Sequence, residues 1–246
     1  MNEFQHTNTD PRWGADDRNI KAEQIFQTLQ HHSKHNLSQM QWLDLGCGSG
    51  GISAYIAPQV RQMIGVDPEP WARWQDWEQA HTNLRFIQAS VDTLTLPPAS
   101  VDVIICNQVY EHVPDPQALI HLIHRVLKPG GLVYFAGPNL LFPIEPHVFW
   151  PFVHWLPRPF AIRLMKALGS KHADDLDAYS THYWQLTGWL TRDFKVKNAL
   201  PVLVKQVIPG PKGGLPYAML RYIPAWLVRA LTPLSPGFVF VLEKPQ

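Results

Sequence analysis

The sequence LDLGCGSGG at residues 43–51 is the stretch that decides the fold of this chain. It predicts a short buried strand around Leu43 and Leu45, then a glycine-rich turn, and a helix that begins at Ile52. Because glycine has no Cβ atom, its backbone can adopt φ > 0 and let a ligand approach the N–H groups. The start of the following helix favours negative charge. The stretch therefore predicts a ligand-binding turn.

Two glycine motifs fit this turn. Gly46, Gly48 and Gly51 match the dinucleotide-binding pattern GxGxxG. Asp67 stands about 20 residues further on, where such folds place the acid that binds ribose. The same turn also matches DxGxGxG, in which an acid, here Asp44, precedes the first glycine. The turn alone does not decide between the two motifs.

The composition predicts one soluble α/β domain. The chain has 246 residues, of which 46% are hydrophobic and 17% charged, enough for one sizeable core. The net charge of +1 does not indicate nucleic acid as a partner. Cys47 and Cys106 lack metal-ligand spacing and indicate reduced thiols in the cytoplasm. A signal peptide and a membrane-spanning apolar run are not expected.

Apolar runs predict the remaining strands. They are MIGVD at 63–67, LRFIQAS at 84–90, VDVIICN at 101–107, GLVYFAGP at 131–138 and GFVFVLEK at 237–244. Helical segments separate most of them, which predicts a parallel sheet with right-handed crossovers.

Several helix boundaries can be predicted from capping residues. Asp17 is predicted to cap a helix at 18–30. Asp115 is predicted to cap a second helix that begins at Pro116, and the glycine pair 130–131 is predicted to end it.

Asp67 ends the second predicted strand. Ligands of doubly wound sheets bind at this edge, and a carboxylate there can accept hydrogen bonds from two ribose hydroxyls. The helix that follows carries Trp71, Trp74 and Trp77 at a spacing of three residues. This spacing is more typical of core packing than of a cofactor contact.

The segments LDLGCGSGG, GVDPEPW, EHVPDP and LKPGG occur in this order between about residues 42 and 139. Together they resemble the class I S-adenosylmethionine-dependent methyltransferases, in particular those of the ubiquinone and biotin pathways. The resemblance implies a Rossmann-like, seven-stranded, mostly parallel sheet with helices on both faces and a lid insertion after the fifth strand. It also implies the DxGxGxG motif and S-adenosylmethionine as the cofactor.

The resemblance implies a set of cofactor-binding residues. Asp44 and the glycines would hold the methionyl and ribose region, Asp67 the ribose hydroxyls, and Asn107 the methionine end. Ser90 and Val91 would contact adenine, where Ser90 replaces the usual acid and is a weaker acceptor. The full set is Asp44, Gly46, Cys47, Gly48, Gly50, Asp67, Pro68, Ser90, Val91 and Asn107.

Two histidines are candidate general bases. Methyl transfer from a sulfonium is an in-line displacement governed mainly by positioning, and a base is needed only if the acceptor must lose a proton. His112 is one candidate, although in the resembling family this histidine also fits a loop-fixing role. His147 is the other, with Glu145 as its neighbour. Tyr110, Glu145 and His182 are predicted to line the substrate pocket, and no metal is expected.

We predict a single methyltransferase domain over residues 1–246. Its parts are an N-terminal flap and helix at 1–35, a cofactor-binding core at 42–139, a substrate-side insertion at 140–183, and a C-terminal helix and strand pair at 184–246. The insertion and residues 215–234 are rich in aromatic side chains. They would wall an apolar pocket, rest peripherally on a membrane, or pack against the sheet.

The predicted function is methyl transfer to a small apolar, aromatic or lipid-like acceptor, preferentially at oxygen. The alternatives are N- or C-methylation, cofactor binding without turnover in a regulatory or assembly role, and a dinucleotide-dependent oxidoreductase. The sequence indicates neither the acceptor nor the oligomeric state.

Overall fold

The computed structural model describes residues 15–145, 148–176, 180–205 and 222–246. Within these residues the strands are β1 Gln41–Leu45, β2 Gln62–Asp67, β3 Leu84–Gln88, β4 Val101–Asn107, β5 Leu127–Pro138, β6 Lys195–Asn198 and β7 Gly237–Glu243. They form one sheet in the order β3-β2-β1-β4-β5-β7-β6. Strands β3, β2, β1, β4 and β5 are parallel to one another. Strand β7 is antiparallel to both β5 and β6. The predicted mostly parallel sheet is confirmed.

Helices cover both faces of the sheet. The helices of the described residues are α1 Ala15–His32, α2 Gly51–Ile56, α3 Trp74–Ala80, α4 Pro116–Val126, α5 Arg158–Ala167, α6 Tyr183–Leu190, α7 Leu200–Lys205 and α8 Ala225–Leu231. Because successive strand residues point to opposite faces, Leu43 and Trp42 belong to two different cores. The core that contains Leu43 is covered by α4 and α6, and the core that contains Trp42 by α1, α2 and α7.

The cap of α4 is confirmed, but its predicted end is wrong. The Asp115 carboxylate accepts the backbone N–H groups of Gln117 and Ala118 at 2.9 and 3.1 Å. The helix ends at Val126, and the glycine pair 130–131 lies inside β5. Lys128 precedes a proline, a position that disfavours helical backbone, so the chain turns extended before it reaches the glycines.

Two other predicted boundaries also differ. Helix α1 includes Ala15, so Asp17 lies within the helix and is not its cap. Strand β3 ends at Gln88 and not at Ser90, because the carbonyl of Ser90 accepts the N–H groups of Thr93 and Leu94 in a turn.

The segment after β5 packs around a small cluster of its own. Its buried members are Val148, Val153, Ala161, Met165, Ala173 and Leu176. Movement of this segment as a lid stays a prediction. Across the described ranges, no helix is both long and apolar enough to cross a bilayer.

Candidate active site

The glycine loop follows β1 directly and is held by β2. The N–H groups of Gly46 and Cys47 donate to the carbonyl of Val66 at 2.7 and 3.0 Å. Gly46, Gly48 and Gly50 have φ values of 68°, 51° and 81°, in the left-handed region that favours glycine. These are the three glycines of DxGxGxG, which is the motif that the backbone geometry supports.

The carboxylate of Asp67 is tied to this loop. Its Oδ2 accepts the N–H of Gly48 at 2.9 Å, and its Oδ1 accepts the N–H of Glu69 at 3.0 Å. Asp67 is half-buried at the carboxyl end of β2. The predicted ribose acid therefore stands beside the loop, as the motif requires.

Asp44 is buried on β1 beneath the loop. Its Oδ2 accepts the hydroxyl of Ser53 on α2 at 2.7 Å. Burial raises the pKa of Asp44 to about 7, and the charge of Asp67 adds to this rise, whereas the bond from Ser53 and the charge of Arg18 oppose it. Around neutral pH this carboxyl therefore exists in both protonation states.

Arg18 is a site residue that the sequence analysis missed. From α1 its Nη1 donates to the hydroxyl of Ser49 in the loop at 2.8 Å. Burial lowers the pKa of Arg18, while the nearby Asp44 raises it. No local motif marks Arg18, because only the packing of α1 onto α2 brings it to the loop.

Asn107 supplies a buried acceptor at the end of β4. Cys106 pairs with Leu45 of β1, so Asn107 follows immediately beside the start of the glycine loop. Its Oδ1 is buried and has no hydrogen-bond partner within the described parts of the chain. Buried polar atoms are normally paired, so this oxygen suits a donor from a ligand. Two carboxylates, a guanidinium, left-handed glycines and an unpaired acceptor together fit a cofactor that carries amine, carboxylate and hydroxyl groups.

The other predicted cofactor residues surround the same edge. The N–H of Ser90 donates to Thr93 Oγ1 at 2.9 Å, and Val91 packs partly buried against the core. Pro68 is exposed. Burial raises the pKa of the Cys47 thiol well above its ordinary value, which keeps it protonated. Contact of these residues with the cofactor stays a prediction.

Tyr110 lies inside the fold, and its predicted place in the substrate pocket stays a prediction. Its side chain is fully buried, and its hydroxyl donates to the carbonyl of Pro138 and accepts the N–H of Thr181 at 3.3 Å. Burial raises the pKa of this phenol. Tyr110 thus joins the end of β5 to the chain that leads into α6.

The catalytic and pocket roles of His112, Glu145 and His182 stay predictions. His112 is exposed, and its backbone N–H donates to the carbonyl of Val109 at 3.0 Å. Glu145 is buried and its Oε2 accepts the N–H of Val148 at 2.7 Å. His182 caps α6, with its Nδ1 accepting the N–H of Gln185 at 3.2 Å. His147 lies outside the described residues, so its pairing with Glu145 stays a prediction.

Comparison with known proteins finds matches to the segment of the chain that contains the glycine loop. Residues 43–135 match a family model described as a methyltransferase domain. Ubiquinone biosynthesis O-methyltransferase of Pseudomonas syringae pv. tomato is 34% identical over 109 residues, which are 42% of this chain and 47% of that protein. The protein of the same name from Azotobacter vinelandii is 35% identical over 102 residues, 39% of this chain and 44% of that protein. The chain thus matches these curated relatives over about half of their length.

Solved structures extend the likeness in fold to most of the chain. The 1,6-didemethyltoxoflavin-N1-methyltransferase of Burkholderia thailandensis, solved with its didemethyltoxoflavin and S-adenosylhomocysteine, has a TM-score of 0.57 at 17% identity and covers 94% of this chain and 80% of that one. An S-adenosylmethionine-dependent methyltransferase of Mesorhizobium loti has a TM-score of 0.57 at 15% identity and covers 92% and 100%. At these identities the likeness shows the fold alone.

Residues 43–135 thus resemble a methyltransferase domain in sequence, and most of the chain resembles solved methyltransferases in fold.

Proposed function

We propose that this chain transfers a methyl group from S-adenosylmethionine to a small apolar, aromatic or lipid-like acceptor, at oxygen. The observation that carries the proposal is the buried, unpaired Oδ1 of Asn107 beside the left-handed glycine loop. A loop that only turned the chain would not need an unpaired acceptor held next to it.

Each polar group at the site suits one part of the cofactor. Asp67 would accept from ribose hydroxyls, and Asn107 Oδ1 from the amine. Arg18, which contacts the loop at Ser49, would attract the carboxylate, since guanidinium and carboxylate form strong charge-assisted bonds. When bound, S-adenosylmethionine supplies an electrophilic methyl group on a positively charged sulfur. The chain contributes mainly the alignment of cofactor and acceptor.

His112 is our candidate base for an acceptor that must lose a proton. It is exposed at the end of the short turn Tyr110–His112, which follows β4 closely. A neutral imidazole can accept the proton of a hydroxyl as the methyl group arrives. The relatives that match this region are named O-methyltransferases, which supports oxygen as the acceptor atom.

Exposed aromatic side chains support an apolar acceptor and peripheral contact with a membrane. Phe149, Trp155 and Trp226 are 76%, 50% and 68% exposed. Helix α8, which carries Trp226, has no buried residue. Part of the predicted segment 215–234 lies outside the described residues, which resume at Tyr222. Aromatic residues on an exposed helix suit the membrane interface, where a lipid-like acceptor would be found.

The experiment that tests this function uses S-adenosylmethionine labelled in its methyl group. The acceptors are a matched prenylated phenol and prenylated aniline, presented in liposomes. We expect label in the phenol, and a rate at least tenfold lower for His112→Ala than for the control His121→Ala on the exposed side of α4. Transfer only to the aniline would overturn the assignment to oxygen. A wild-type rate in His112→Ala would overturn its role as base.

A further inference from the structure

We propose that Trp74 and Trp77 are positioning residues that hold the glycine loop in the conformation that binds S-adenosylmethionine. The inference rests on the proposed function, because it concerns the same cofactor site. It also differs from our interpretation of the tryptophan spacing as core packing alone.

Each indole donates a hydrogen bond to the loop. The Nε1–H of Trp74 donates to the carbonyl of Gly48 at 2.8 Å, and the Nε1–H of Trp77 donates to the carbonyl of Ser49 at 3.1 Å. Two consecutive peptide groups of the loop are thus held from one helix, α3. A buried indole N–H normally finds some acceptor, and here both acceptors are consecutive carbonyls of the glycine loop.

The rings themselves are fixed from behind. The ring of Trp74 stacks on Phe86 of β3, with centroids 5.0 Å apart and planes 8° from parallel. A Cβ atom at Gly50 would lie 2.4 Å from Phe86 and 3.3 Å from Trp77. The loop backbone at Gly50 therefore packs directly on the rings of Phe86 and Trp77.

The orientation of the peptide between Gly48 and Ser49 shows what this arrangement achieves. In a trans peptide the C=O and the N–H point in opposite directions. Since the carbonyl of Gly48 points to Trp74, the N–H of Ser49 points away from α3. No backbone or side-chain acceptor for this N–H is present in the described ranges. By holding the Gly48 carbonyl, the indole of Trp74 thus leaves the Ser49 N–H available to donate to a ligand.

The same loop is held on its other side by polar groups. The N–H of Gly48 is bound by Asp67, and the hydroxyl of Ser49 by Arg18. These two contacts are the ones that a cofactor with hydroxyl and carboxylate groups would share or replace. The indole bonds lie on the α3 side and do not use these groups, so they can keep the loop in place while the cofactor binds.

The test removes each indole N–H while keeping an aromatic ring, in Trp74→Phe, Trp77→Phe and the double variant. Binding of S-adenosylhomocysteine is measured by calorimetry. We expect each single change to raise the Kd about fivefold to tenfold and the double change by more than either, since a hydrogen bond of this kind contributes about one power of ten at most. Trp42→Phe is the control, because its indole donates to the Leu37 carbonyl at 3.4 Å, away from the loop. It should lower the Tm but leave the Kd within twofold.

A second measurement separates positioning from general stability. The indole N–H signals of Trp74 and Trp77 in wild type are assigned from their absence in the variants. These two N–H groups should exchange with solvent at least fivefold more slowly when S-adenosylhomocysteine is added. The signal of Trp42 should not change.

The possible failures are distinguishable. If wild type binds S-adenosylhomocysteine and all three variants bind it equally well, with unchanged indole exchange in wild type, the positioning role is wrong and the proposed function stands. If wild type itself does not bind, the proposed function and this inference fail together.

Discussion

The carboxylate of Asp67 accepts the backbone N–H of Gly48 at 2.9 Å, which joins the end of β2 to the middle of the glycine loop. Asp67 therefore stabilises the loop, in addition to any ligand that it binds. The two carboxylate oxygens have about four lone-pair sites, so the bonds to Gly48 and Glu69 leave capacity for ribose hydroxyls. Loss of this carboxylate should affect binding directly and through the loop.

Replacement of Asp67 by alanine should weaken binding of S-adenosylhomocysteine at least about thirtyfold, because charge-assisted hydrogen bonds are the stronger ones. Asp67→Asn keeps one acceptor oxygen and should lose less affinity than Asp67→Ala. Calorimetric titration gives both values. Equal affinity of all three proteins would contradict the assignment of Asp67 to the ribose.

Replacement of Gly50 by alanine should destabilise the fold and impair binding together. The added Cβ meets Phe86 at 2.4 Å, and φ is 81°, so strain and overpacking add to about 2 to 4 kcal/mol. Gly188→Ala on α6 is the matched control, since a Cβ there meets nothing within 4 Å. This control should stabilise the protein by about 0.5 to 1 kcal/mol, because alanine favours helix. Urea unfolding compares the two, and equal stability would show that the loop is not packed as described.

Much of the fold could be predicted because its elements have strong local signals. Buried parallel strands such as Val101–Asn107 are continuous apolar runs, and Asp115 with Pro116 marks a helix start in the sequence itself. Strand β6, Lys195–Asn198, could not be located from its polar sequence KVKN. Its position depends on pairing with β7, where Lys195 and Lys197 both meet Glu243.

Some residues of the site could likewise be predicted from the sequence, and others could not. The glycines and Asp67 lie in two recognisable segments of the sequence, and the structure brings them together. Arg18 and the indoles of Trp74 and Trp77 could not be predicted, because their contacts with the loop arise from the packing of α1 and α3. The burial of Tyr110 likewise depends on Thr181, far along the chain.

Asp44 should make stability depend on pH. Its pKa is about 7 in the folded protein, raised mainly by burial, and about 3.9 in an unfolded chain. Between these values the folded state binds the extra proton. The contribution of Asp44 to stability is therefore full below about pH 4 and is lost as the pH rises through about 7.

Asp44→Asn removes this titration while keeping an acceptor for Ser53. The unfolding free energy of the variant, relative to wild type, should thus rise from pH 5 to pH 8 and then level off. Urea unfolding at unit steps of pH measures it. A difference that stays constant across this range would show that Asp44 is ionised throughout.

Arg18 should contribute to cofactor affinity through its charge. Arg18→Ala should weaken binding of S-adenosylhomocysteine about tenfold, and Arg18→Lys less, because lysine keeps the charge but not the planar donor pair. The exposed Arg163 on α5 provides the control, Arg163→Ala, which should bind as wild type does. The role of Arg18 would be refuted by loss of affinity in both alanine variants alike.

The most direct measurement of the central claim is calorimetric titration of the wild-type chain with S-adenosylhomocysteine, S-adenosylmethionine and NADH in parallel. The DxGxGxG loop geometry predicts one site that binds both sulfur nucleotides and leaves NADH unbound. Binding of NADH with no heat from either sulfur nucleotide would contradict it.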